Sequence, residues 1–251
     1  MKNPNSRINN VIYEFRRNKQ AIFAAVYLLL IIAISLLVVF MPIDPDAIDV
    51  TAKLESPSAD HWFGTDEMGR DYFARVLYGG RISLLVGVLA MVTSVVLGVS
   101  IGMAAGYFGG VVDSLLMGFV DGFSSIPWII MVTVVGLIFK KGLFSIILVI
   151  GIFSWMGIAR LVRSEVLSSK EREYVQYAKF IGVPPMKIML RHVLPTVLPT
   201  IITAATAIIA NAIMTESSLS FLGLGVIGQK SWGGILHYAF FRNGIINGYW
   251  W

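Results

Sequence analysis

A chain of 251 residues that is 56% apolar and only 14% charged carries more apolar surface than a soluble domain can cover, which excludes that class. Its net charge of +5 is not gathered into a patch interleaved with stacking aromatics, so nucleic acid is excluded as the partner. With no cysteine, disulfides and thiol nucleophiles are excluded too.

The chain opens with a basic segment, residues 1–20. Lys2, Arg7, Arg16, Arg17 and Lys19 stand there against Glu14 alone. An uncharged run, Ala21–Met41, follows, and the loop after it, residues 42–81, begins with Asp44, Asp46, Asp49, Glu55 and Asp60. This asymmetry places the N terminus in the cytoplasm and the loop outside. The run is too long for a signal-peptide core and no small-residue cleavage site follows it, so it is expected to stay as an anchor.

Further uncharged runs cover Ser83–Val112, Gly122–Phe139, Gly142–Ala159 and Val193–Thr215. Each approaches or exceeds the ~20 residues a helix needs to cross ~30 Å of hydrocarbon. The expected fold is therefore all-α: a polytopic membrane protein with five spans. A barrel is disfavoured because lipid-facing and lumen-facing residues do not alternate. Alternation across the membrane puts Lys140 and Lys141 outside and the basic segment 161–192 inside, on the same side as the N terminus. The domain division that follows is the 1–20 segment and a transmembrane domain, 21–251, without internal repeats.

In the outer loop, Gly64 and Gly69 fit turn positions, and Asp66, Arg70 and Asp71 are placed to pair locally. His61 with Asp60, Asp66 and Glu67 offers metal-ligand types. A lone histidine beside Trp62 reads better as an interfacial packing residue, so no metal site is expected.

The inner loop holds an amphipathic helix between two spans. Tyr174, Tyr177, Ala178 and Ile181 share one face, and Gln176 and Lys179 point away. Such a helix suits a partner's groove; it also fits a linker lying on the bilayer. Ala178 and Gly182, four apart, would let another surface come close, and Pro184 and Pro185 end the helix. Ser168 and Glu171 have capping-box spacing for its start.

Two carboxylates fall inside apolar runs, where they are costly and seldom face lipid. Asp121 lies eight residues beyond Asp113, ~12 Å along a helix, and precedes Pro127. It fits a polar lock to a neighbouring helix better than a substrate contact in the pore. Glu216 falls near the outer end of the last span, where capping and gating both fit. Pro195 and Pro199 interrupt the hydrogen-bond ladder near the inner start of that span and are candidate hinges; Pro195 fits a plain helix-start proline equally. There is no phosphate loop, no His-Glu-x-x-His pair and no clustered histidine, so no catalytic residue is assigned. Asp121 and Glu216 are the only acids a rival membrane enzyme could use.

The ordered set Phe63-Gly-Thr-Asp-x-x-Gly-Arg-Asp71, Gly80-Arg-Ile-Ser-Leu84, Ala105-Gly-Tyr-Phe-Gly-Gly110, Ala159-Arg-Leu-Val-Arg163, Arg191-His-Val-Leu-Pro195 and Glu216-Ser-Ser-Leu-Ser-Phe-Leu-Gly-Leu-Gly225 resembles the oligopeptide, dipeptide and nickel permeases of bacterial ABC importers, in particular their C-type subunit. The resemblance runs from about residue 10 to the end. It implies a pore half in the bacterial inner membrane, importing short peptides or, as runner-up, nickel or a metal chelate. The implied partners are a second related permease, two ATP-binding subunits and an extracytoplasmic solute-binding protein, with ATP and Mg held by the ATP-binding subunits. The family's cytoplasmic EAA loop maps onto Gln176-Tyr177-Ala178 with Gly182 following, and Gln176 and Tyr177 depart from the nominal Glu-Ala-Ala. On that mapping the coupling residues are Glu173, Tyr174, Tyr177, Ala178, Ile181, Gly182 and Arg191. Family members normally carry a sixth span after the region of Gly244–Trp251; the Tyr249-Trp250-Trp251 ending is expected to mark either truncation before it or a terminus left outside.

Overall fold

The computed structural model describes residues 13–138, 142–225, 230–242, 244 and 246–251. Lys2, Arg7, Lys140 and Lys141, which enter the topology argument, lie outside the described residues. Among those described there is no strand, and one isolated bridge joins Thr65 to Asp71. The chain divides into two compact units, Met1–Arg81 with Trp251 and Ile82–Trp250.

The first unit contains α1, Lys19–Leu37, started by Asn18, whose side chain accepts from the backbone N–H of Ala21. Most side chains of α1 are exposed and only Ser35 is buried, as expected of a helix whose solvent is lipid. The loop that follows is held by short-range polar contacts. Asp66 accepts from the N–H groups of Met68 and Arg70 and pairs with the Arg70 guanidinium at 2.6 Å. Asp71 bonds instead to His61 Nδ1 at 2.8 Å and caps the next helix through the N–H of Ala74. Among the described residues no group of three His, Cys, Asp or Glu can hold a metal. Gly69 is required twice over: its φ is +77°, and a Cβ there would collide with the backbone carbonyl of Asp49. The Asp49 carboxyl is held below the usual carboxylate range, chiefly by the hydroxyl of Thr51.

The helix α2, Tyr72–Phe108, runs for 37 residues, or ~55 Å at the α-helical rise, well beyond a bilayer core. In the second unit it packs on α5, Leu143–Lys170, through Gly98, Gly102 and Gly106. A Cβ at Gly102 would sit 2.5 Å from the Ala159 carbonyl oxygen, and one at Gly106 2.8 Å from Val166 Cβ. Small residues every fourth position thus let two backbones approach, which is how helices associate where lipid supplies no hydrophobic drive.

The expected third span, Gly122–Phe139, is not one helix. It is replaced by α3, Gly110–Ser124, and α4, Trp128–Ile138, bent by 81°. Pro127 has no N–H for the ladder, and the Ser125 hydroxyl takes up the carbonyl of Gly122 at 2.7 Å, so the chain turns there. Among the described residues, counting this bent pair as one span gives five candidates; without it there are four.

After α5 come α6, Glu173–Phe180, and α7, Pro185–Ile188. A π-helical turn, Met189–Val193, then leads into α8, Leu194–Leu219. A second π turn, Ser220–Leu224, broken by Gly223 at φ +77°, precedes α9, Trp232–Phe241. One apolar core joins α2, α5, α6, α7 and α8 through Met103, Val162, Val166, Val175, Ile188 and Val197. A second joins α2, α4, α5 and α8 through Val86, Val132, Ile150 and Leu219.

Candidate coupling surface

The start of α6 is not the expected capping box. α5 continues through Lys170, which puts Ser168 inside it and makes Glu171 its C-cap. Burial decides this: Val166 and Ser169 are packed away, and keeping them inside carries α5 past the capping position. The junction is tied by Gln176, whose side-chain amide donates to the Lys170 carbonyl at 3.0 Å. Glu173 in the first turn and Lys179 in the last complement the helix dipole.

The end of α6 is set by Gly182, at φ +76°. Val183 N–H reaches back to the Ala178 carbonyl and Gly182 N–H to that of Lys179, both at 3.1 Å, a Schellman closure. Pro184 and Pro185 then prevent the helix from resuming. Nothing lies within 4 Å of a Cβ placed on Gly182, so the space beside it is open.

With both ends fixed, the two faces separate. Val175 and Ala178, three apart, are 3% and 4% exposed and enter the core shared with α5, α7 and α8. The expectation that Ala178 belongs to the outward face is therefore corrected: its small side chain lets α6 lie close on its own protein. Tyr174, Tyr177 and Ile181 do point outward, and Phe180 joins them at 89% exposure. Sequence reading misses Phe180, although it stands three residues beyond Tyr177, because helical spacing also admits a face that runs through Ala178. An open concavity lined by Glu173, Gln176, Tyr177, Lys179 and Phe180 lies on this surface.

Arg191 is exposed on the π turn, between the buried Met189 and Val193. Pro195 follows in the first turn of α8, where its lack of an N–H is tolerated, and Pro199 lies inside the helix, where it removes a ladder bond. Thr196 and Thr203 hydroxyls donate to the carbonyls of Val193 and Pro199, at 2.6 and 3.1 Å. A π turn and two prolines within eleven residues leave the foot of α8 with an interrupted ladder, directly behind the aromatic face.

The acids of the membrane segments are placed differently from each other. Asp121 pairs with Arg160 of α5 at 2.7 Å, and both side chains are largely exposed. Asp113 makes a two-pronged pair with Arg163 at 2.5 and 2.6 Å, so two ion pairs clamp α3 to α5. Glu216 is fully enclosed by its own chain, hydrogen-bonded to Ser83 and Ser220. Within this chain α8 continues through it into the π turn and α9 lies over it, so it stands neither at a helix end nor on the surface.

Residues 98–244 match the family described as binding-protein-dependent transport system inner membrane component. The chain belongs to that family. It is a membrane transport subunit rather than an enzyme, in keeping with its several apolar helices. Residues 6–57 match a further family, the N-terminal transmembrane domain of oligopeptide transport permease C. Among curated relatives of this permease, the oligopeptide transport system permease protein OppC of Bacillus subtilis is 37% identical over 229 residues, 89% of this chain and 74% of the relative. The dipeptide transport system permease protein DppC of the same organism is 37% identical over 240 residues, 94% and 74%. OppC of Haemophilus influenzae is 39% identical over 226 residues, 88% and 73%.

Proposed function

We propose that this permease forms half of the translocation pore of an ATP-driven importer of short peptides in the bacterial inner membrane. Its N terminus would lie in the cytoplasm and its α6 face would dock in a cleft of an ATP-binding subunit. The observation that carries the coupling role is the outward row Tyr174, Tyr177, Phe180 and Ile181, on a helix welded by Val175 and Ala178 to the core that also holds α5 and α8. Three exposed apolar side chains on an eight-residue helix, with a fourth at its C-cap, are a docking face rather than a soluble surface. Because the same helix is packed into the core, a push on it is transmitted as rigid-body motion to the spans.

The peptide cargo is supported by the relatives, which are named as oligopeptide and dipeptide permeases. The orientation is supported by Arg16 and Arg17 before α1, Lys19 at its start and the acidic loop after it. A second permease, two ATP-binding subunits that hold ATP and Mg, and a solute-binding protein complete the proposed assembly. Glu173 and Arg191 would flank the docking face with opposite charge, and the foot of α8 at Pro195 and Pro199 would act as the hinge.

The test is reconstitution with a second permease, ATP-binding subunits and a solute-binding protein from the same organism, supplied with di- to pentapeptides or with nickel. ATP-dependent peptide accumulation is expected. Nickel accumulation without peptide accumulation would contradict the cargo, and accumulation unaffected by Gly182→Trp would contradict docking at α6.

A further inference from the structure

Glu216 is an acid inside the spans that the coupling role leaves unused, and its surroundings are specific. It is 0% exposed. Among the described residues no ion pair reaches it; both its oxygens accept from hydroxyls, Oε2 from Ser83 Oγ at 3.1 Å and Oε1 from Ser220 Oγ at 2.7 Å. Ser83 in turn accepts from the backbone N–H of Trp232 at 3.3 Å. Trp232 is the first residue of α9, where helix N–H groups lack intrahelical partners. The hydrogens therefore run in one direction, from the start of α9 through Ser83 of α2 to the carboxyl group on α8. Ser231, the N-cap of α9, accepts from Gly234 N–H at 3.1 Å and stands 3.5 Å from Ser220 Oγ, on the other side of the carboxyl group.

Three further contacts seat α9 on α8 and on the π turn that follows it. A Cβ at Gly233 would collide with Ser217 Cα, so the backbones touch there. His237 Nδ1 lies 2.7 Å from the Phe221 carbonyl, which the π turn leaves available, so that nitrogen carries the proton. The ring of Phe221 meets those of Phe240 and Phe241 at 5.0 and 6.3 Å between centroids.

We propose that Glu216 is a positioning residue: an acceptor-only clasp that fixes the start of α9 against α8 and α2. The clasp also opposes separation of α2 from α8. Breaking the Ser83–Glu216 bond would take a donor from a buried carboxyl oxygen and leave Ser83, with the Trp232 N–H on it, detached from its anchor in the same event. A buried polar group stripped of its partner costs more than the bond is worth when made. An amide of the same shape offers one acceptor oxygen where the carboxyl group offers two, so one of the two serine hydroxyls must turn its hydrogen away from residue 216.

The test is hydrogen exchange read by mass spectrometry on the assembled complex in nanodiscs. Glu216→Gln is expected to speed exchange of the α9 amides, Trp232 to His237, about tenfold or more while α6 is unchanged. Wild-type protection of α9 in that variant would overturn the proposal. Should Glu216→Gln fail to assemble, Ser83→Ala decides: faster exchange at the start of α9, restored by Ser83→Thr, supports the clasp, and wild-type protection in Ser83→Ala overturns it. In the Ser83→Ala, Glu216→Gln double variant the effect should not exceed the larger single one, since both act at one node; multiplied effects would overturn it.

Discussion

The backbone N–H of Val183 donates to the carbonyl of Ala178 at 3.1 Å, folding the chain back across Gly182 where α6 ends. Ala178 is buried in the core and Val183 is packed against it, so the closure also sets the height at which the exposed aromatic row stands above the core. Gly182→Ala should therefore act through the backbone, by about 1–2 kcal/mol, because an L-residue is strained at φ +76°. Faster amide exchange over α6 in Gly182→Ala, with a smaller effect in Gly182→Asn, is the expected outcome.

Faces of α6 that differ in burial should differ in what their substitutions damage. Tyr177→Ala and Phe180→Ala remove exposed rings and should leave thermal unfolding within about 0.5 kcal/mol of wild type. Each should weaken association with the ATP-binding subunit by about tenfold or more, as truncation of an aromatic anchor does. Ala178→Leu should do the reverse, costing about 1–3 kcal/mol of stability by overpacking. Thermal unfolding and subunit pull-down on the same variants separate the two outcomes.

The two ion pairs between α3 and α5 should not be equivalent. Asp113–Arg163 is two-pronged and half-buried, whereas Asp121–Arg160 is largely exposed. Asp113→Asn is expected to destabilise by roughly 1–3 kcal/mol and Asp121→Asn by less than about 1 kcal/mol. Thermal unfolding in lipid checks the ranking, and the swap Asp113→Arg with Arg163→Asp should recover part of the loss.

Glycines that look alike in sequence should also separate. Gly102→Ala places a Cβ 2.5 Å from the Ala159 carbonyl oxygen, and Gly106→Ala one 2.8 Å from Val166 Cβ, so each should cost about 1–3 kcal/mol. Gly118→Ala and Gly122→Ala meet nothing within 4 Å in this chain and should stay within about 0.5 kcal/mol in the isolated subunit. A larger effect confined to the assembled complex would mark that face of α3 as covered by a partner.

The spans were legible because an uncharged run has one stable answer in lipid, and the turn at Gly182 to Pro185 because those residue types dictate it. The 81° bend at Pro127 was only half legible: a proline says that the ladder breaks, and the packing of Val132 and Met131 into the cores decides how far the chain turns. Periodicity put Ala178 on the aromatic face because helical spacing defines a face but not which side of it is covered; burial of Val175, three residues earlier, decides that. The failed capping box has the same cause, since tertiary burial extended α5 over a local signal. The surroundings of Glu216 were illegible, because Ser83 lies 133 positions away and only the packing of α2, α8 and α9 brings it there.

Because the chain has no cysteine, a single introduced thiol reports one contact. Tyr177→Cys and Ala178→Cys, each cross-linked in membranes that hold the assembled importer, test the docking of α6 most directly. The account predicts that a thiol at 177 joins this chain to an ATP-binding subunit and that one at 178 does not. An active importer that gives no such product at 177, or gives it equally at 178, would contradict it.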